Sequence, residues 1–108
     1  MSFNLEAADL YCEGAIDNVR VTQYGSVYFE AGWTPNEISP KVCDLGASYN
    51  NVTSETCKFW TSSLQTALYT RNYVKFRFAQ SEYTDCATIP HGGSAPQIHS
   101  IYFLNTQS

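Results

Sequence analysis

The sequence predicts a small, mainly β, secreted domain that carries one long helix. Three observations lead there: short runs in which apolar residues alternate at period two, one run with apolar residues at helical spacing, and four cysteines in a chain of 108 residues. That length holds a single domain, 1–108. A domain this small has much surface for its volume, so covalent cross-links help it most.

The cysteines are Cys12, Cys43, Cys57 and Cys86, with 30, 13 and 28 residues between neighbours and no CxxC pair. A structural zinc site wants closely spaced ligand pairs, and His91 and His99 stand apart from the cysteines, so no metal or other cofactor is expected. An even count, few charges and abundant Tyr, Ser and Thr fit an oxidising compartment. Two disulfides are the expected state and free buried thiols the alternative; of the three connectivities, the spacing selects none.

The elements follow in order. Residues 4–12 read as a short amphipathic helix, with Asn4 as N-cap, Glu6 favourable in the first turn and Gly14 ending it. The period then becomes two. In Ile16–Gln23, Val19 and Val21 point one way while Asn18, Arg20 and Thr22 point the other. Tyr24-Gly25 turns the chain, and Ser26–Ala31 repeats the alternation with Val27, Phe29 and Ala31 inward, giving a β-hairpin. Gly32-Trp33-Thr34-Pro35 and Pro40 interrupt it before a third strand near Lys41–Gly46.

Cys57, Trp60, Leu64, Ala67 and Leu68 then fall on one helix face, with Thr53 or Ser54 to cap it and Glu55 against its dipole. The opposite face, Thr61, Ser62, Gln65 and Thr66, is polar but uncharged, whereas a merely solvated face usually carries Lys and Glu. Val74, Phe76 and Phe78 make a fourth strand. After the glycine-bearing loop Ala87–Pro96, Ile98–Leu104 makes a nearly continuous apolar fifth, suited to burial on both sides or to a subunit edge. Five strands with one helix between the third and fourth is the order of an OB-fold, a five-stranded Greek-key barrel.

Function classes narrow from the same residues. No basic, apolar leader is visible, so the chain reads as a mature secreted form with a start methionine. No apolar run approaches the roughly 20 residues of a membrane span. Net charge is −4 with six scattered basic residues, which excludes a phosphate-tracking surface; no nucleic acid partner is expected. His91 and His99 lack any accompanying nucleophile or metalloprotease motif, so no enzyme and no catalytic residue is expected.

Asn4-Leu5 through Asp9-Leu10-Tyr11-Cys12-Glu13 is similar to the N-terminal helix of the cholera-type B subunit, and Ala95-Pro96-Gln97-Ile98-His99-Ser100-Ile101 to that family's last strand. The patterns Gly14-x-Ile16-x-x-Val19-x-Val21-x-x-x-Gly25-x-Val27-x-Phe29, Trp60-x-x-x-Leu64-x-x-Ala67 and Val74-x-Phe76-x-Phe78 resemble the subtilase-toxin B type. The chain thus resembles the B subunits of AB5 toxins, including the cholera, heat-labile, subtilase and typhoid toxins. Cys43 and Cys57 are extra to the cholera pattern.

The resemblance implies pairing of Cys12 with Cys86, leaving Cys43 with Cys57; by loop length these contribute roughly 4 and 3 kcal/mol. It also implies a ring, a pentamer with the long helices lining its axis, that binds cell-surface glycans and delivers an enzymatic A subunit to host cells. The uncharged helix face would suit that wet axis, with simple exposure to solvent as the plainer reading. The candidate sugar contacts are Ser26 and Tyr28 on the outward strand face, Thr88 and His91 in the loop after the fourth strand, and Trp33 as a stacking platform. Each has a plainer alternative: a polar strand face, a flexible connection, a buried barrel plug. The competing function is a monomeric secreted interaction or inhibitor domain without sugar binding.

Overall fold

The computed structural model describes residues 8–107, without the side chains of Gln80 and Gln107. Five antiparallel strands form one sheet, β1 (Ala8–Val21), β2 (Ser26–Ala31), β3 (Lys41–Asp44), β4 (Asn72–Ser81) and β5 (Ile98–Gln107). One long helix, α1 (Ser54–Thr70), lies between β3 and β4, and a single 3-10 turn, Cys86–Thr88, follows β4. The sheet order is β3-β2-β1-β4-β5.

The first strand organises the sheet. Its first half pairs with β4 (Leu10 opposite Phe78, Cys12 opposite Phe76, Gly14 opposite Val74). Its second half pairs with β2 (Val19 opposite Phe29, Val21 opposite Val27). The register shifts between Ile16 and Asn18, where the strand passes from one partner to the other. A bulge bends a strand and increases its twist; here it moves the inward positions from Cys12 and Ile16 to Val19.

This corrects the expected N-terminal helix. Ala8–Cys12 and Gly14 belong to β1, while residues 4–7 lie outside the described chain. The physical reason is visible in the alternation: Leu10 and Cys12 pack on the core while Tyr11 and Glu13 are exposed. A nine-residue helix is marginal in isolation, whereas as a strand this segment pairs its backbone with β4.

The hairpin forms as expected. Gly25 takes φ +87°, a conformation side chains disfavour, and its N–H donates to Thr22 O at 3.0 Å. Helix α1 is capped by Thr53, whose hydroxyl accepts from Thr56 N. It buries Cys57, Leu64 and Ala67, with Trp60 and Leu68 packed at the margin of the core. Thr61, expected on the polar face opposite the core, is buried too, beside Cys57. Phe59 and Tyr69 are 77% and 85% exposed, and no charged residue separates them.

Phe29, Phe76 and Phe78 form the centre of the core; the Phe29 and Phe76 rings are 4.5 Å apart and those of Phe76 and Phe78 6.0 Å. Burying each such ring contributes about 1.5–3 kcal/mol. Two disulfides close the structure, with no free cysteine. Cys12–Cys86 joins β1 to the turn after β4, and Cys43–Cys57 joins β3 to the first turn of α1, with Cα atoms 5.7 and 5.6 Å apart. Among the described residues no helix is long and apolar enough to cross a membrane.

Candidate functional site

The outward face of β2 carries Ser26, Tyr28 and Glu30, because Val27, Phe29 and Ala31 alternate into the core. Cross-strand register sets the neighbours of this face. Tyr28 stands opposite Arg20 on β1 and Lys41 on β3, and Ser26 opposite Asp44. The Arg20 guanidinium lies over the Tyr28 ring, 4.4 Å from its centroid. The Lys41 ammonium lies the same distance from the Tyr49 ring and 3.5 Å from the Asp44 carboxylate. Both cations are thus held against aromatic faces.

Two groups here titrate away from their ordinary ranges. The Gly46 N–H, donating at 2.8 Å, holds the Asp44 carboxyl below the usual value, with Lys41 helping. Burial first, then the neighbouring Tyr28 phenol, pushes the Tyr49 hydroxyl up. The Tyr49 hydroxyl donates to Gly93 O at 3.1 Å.

The loop after β4 is fastened to this face through Ser39, which is 8% exposed. Ser39 N–H donates to His91 Nδ1 at 2.9 Å, and Ser39 Oγ donates to Glu30 Oε1 at 2.9 Å. Gly92 N–H donates to Ser39 O and Lys41 N–H to Gly92 O, so Pro40 and Gly92 form a parallel bridge. Asn50 and Asn51 continue the fastening, reaching Ala95 O and Gln97 Oε1 at 3.3 Å each. Both asparagines occupy the left-handed region that their short polar side chains tolerate.

The structure therefore ties His91 through Ser39 to Glu30, on the β2 face that also carries Tyr28 and Ser26. The resulting patch presents a phenol, a carboxylate, an imidazole and backbone groups of a glycine loop. In this contact His91 Nδ1 is the acceptor of the Ser39 N–H. Ser39 Oγ bonds Glu30 while His91 meets the Ser39 backbone, so the three do not form a nucleophile–base relay.

Trp33 and Thr88 lie apart. The Trp33 ring packs on the inward side with Phe29 and edge-on to Phe76, at 5.8 and 5.4 Å between centroids. Gly14 lies beneath it, where a Cβ would come 3.3 Å from the indole. The indole Nε1 is buried without a partner among the described residues. Thr88 is exposed beside the Cys12–Cys86 bridge and donates to Asp85 O at 2.6 Å.

Sequence reasoning missed Arg20, Ser39, Lys41 and Tyr49. Ser39 and His91 are 52 residues apart, and no local pattern announces that pairing. The alternation of β2 does place Tyr28 and Glu30 on one face, and its cross-strand neighbours could have been sought from there. A second feature is an open groove of about 260 Å³ between α1 and the β4–β5 pair, lined by Ser62, Thr66, Thr70, Asn72, Tyr73 and Phe103. Comparison with family models, curated proteins and solved structures finds no match to this chain.

Proposed function

We propose that this protein is a secreted glycan-binding subunit that assembles into a ring, a pentamer, and carries an enzymatic A subunit to cell surfaces. The observation that carries the binding reading is the β2 face, which bears Tyr28 and Glu30 and is joined through Ser39 to His91 in a loop with two glycines. Hydroxyl-rich ligands suit such a surface: it offers donors and acceptors in a small area and aromatic rings for C–H faces. Arg20 and Lys41 lie over Tyr28 and Tyr49, with Asp44 beside Lys41, so its border carries charges of both signs.

The fold part of the proposal is an OB-type Greek-key barrel. The sheet order supports it, as does the parallel bridge that joins the residue before β3 to the loop leading into β5. Support for the ring comes from the edge strand β5, ten residues without Lys, Arg, Asp or Glu. Proteins that stay monomeric usually blunt such an edge with charge. Phe59 and Tyr69, exposed on an uncharged stretch of α1, add apolar surface for subunit contact. The two disulfides are compatible with an extracellular setting.

Light scattering on a size-exclusion column tests assembly: a pentamer is expected, and a clean species of about 12 kDa at high concentration refutes the ring. A glycan array tests binding. Signals on sialylated or galactosylated glycans that Tyr28→Ala abolishes support the site; silence across both classes counts against a lectin and favours the monomeric interaction domain.

A further inference from the structure

We propose that His91 is a protonation-controlled latch that fastens the loop after β4 to the start of β3. The latch is the hydrogen bond from Ser39 N–H to His91 Nδ1, 2.9 Å long. It exists only while Nδ1 carries a lone pair, which requires a neutral imidazole with its proton on Nε2. Protonation converts Nδ1 into a second donor facing the Ser39 N–H, so the bond is lost and two like dipoles oppose each other. Histidine is the side chain whose unperturbed charge change falls between pH 5 and 8, so that interval is where the latch is tested.

The surroundings make the consequence local and specific. Ser39 is buried and its other polar groups are committed, Oγ to Glu30 and O to the Gly92 N–H. Other titratable or charged groups stand on the elements that meet the loop: Tyr28 and Glu30 on β2, Glu37 before Ser39, Lys41 and Asp44 on β3, and Tyr49 in the following loop. Of these, Tyr49 fastens Gly93 through its hydroxyl and Lys41 meets Gly92 through its backbone N–H. Acidification therefore releases one of several fasteners, loosening Gly92 and Gly93 without unfolding the sheet. Use of this latch to regulate ligand binding rests on the glycan-site reading; the latch itself does not.

Amide hydrogen exchange followed by NMR at pH 7.5 and pH 5.0, corrected for intrinsic rates, reads the latch without any ligand. Protection of the Ser39 and Gly92 amides should fall about tenfold or more at the lower pH, the scale set by leaving a buried donor unsatisfied. Phe76 and Val74 amides, in the core strand, should hold. His91→Asn supplies an acceptor oxygen that does not titrate, so its Ser39 amide should keep equal protection at both pH values. Imidazole nitrogen shifts should show His91 with its proton on Nε2 at pH 7.5. The proposal is overturned if that proton is on Nδ1, if wild-type Ser39 protection is pH-independent, or if His91→Asn retains the full drop. A glycan array run at both pH values separates the latch from the lectin reading, since the exchange result stands even if the array is silent.

Discussion

Replacing Trp33 by alanine separates packing from binding at the most conspicuous aromatic of the β2–β3 connection. The ring touches Phe29 and Phe76 and covers Gly14, so its removal opens a cavity at the centre of the aromatic cluster. Fully buried Trp→Ala changes cost about 3–5 kcal/mol. Trp33 is only partly buried, which places it at the low end, about 3 kcal/mol. Trp33→Phe keeps an aromatic ring and removes the buried, unpartnered Nε1–H. An unsatisfied buried donor costs about 1–3 kcal/mol, so that variant should lose only about 1 kcal/mol. Urea unfolding followed by far-UV circular dichroism measures both, and glycan binding is then read under conditions where each variant is folded. Binding should survive in both. A Trp33→Ala protein within about 0.5 kcal/mol of wild type that no longer binds glycan would refute the reasoning and put the indole at the ligand.

Gly25→Ala should cost about 1–2 kcal/mol in the same assay, because φ +87° is strained for any residue with a Cβ. A neutral result would mean that the Tyr24-Gly25 turn is built differently. Removing the Cys43–Cys57 bridge with paired alanines releases a loop of sequence separation 14, so stability should drop by about 3 kcal/mol or more. A loss below about 1 kcal/mol would show that β3 and α1 are not held by it. The Tyr49 phenol, raised by burial and by Tyr28, should ionise above the tyrosine norm of about 10. Its contribution is present below that norm and lost as pH rises through the folded value, when the donor to Gly93 disappears. The difference in phenolate absorbance between wild type and Tyr49→Phe reports it, and a midpoint at or below 10 contradicts the environment described.

The legible parts of the fold were those where one periodicity held alone. Val27, Phe29 and Ala31 alternate without interruption, and Cys57, Leu64 and Ala67 keep helical spacing, so β2 and α1 lie where the sequence places them. The N-terminal segment misled because Leu10 and Cys12 serve a strand, and Gly14, read as the end of a helix, lies within that strand. Only pairing with β4, more than 60 residues away, decides between them. The disulfides match the pairing implied by resemblance, which cysteine spacing alone does not select. At the candidate site, Ser26 and Tyr28 were readable from strand alternation. Ser39 and Tyr49 were not, since they reach the face through loops closed by long-range hydrogen bonds, and Lys41 is set there by the β2–β3 register opposite Tyr28.

Binding of sugar at the β2 face is tested most directly by amide chemical-shift mapping with sialyllactose and with lactose. One of the two should produce saturable shifts at Tyr28, Ser39, Gly92 and Gly93, leaving Thr88 and Phe103 unmoved. No shift with either sugar, or shifts that map instead to Ser62, Thr66 and Phe103 in the groove beside α1, would contradict the assignment.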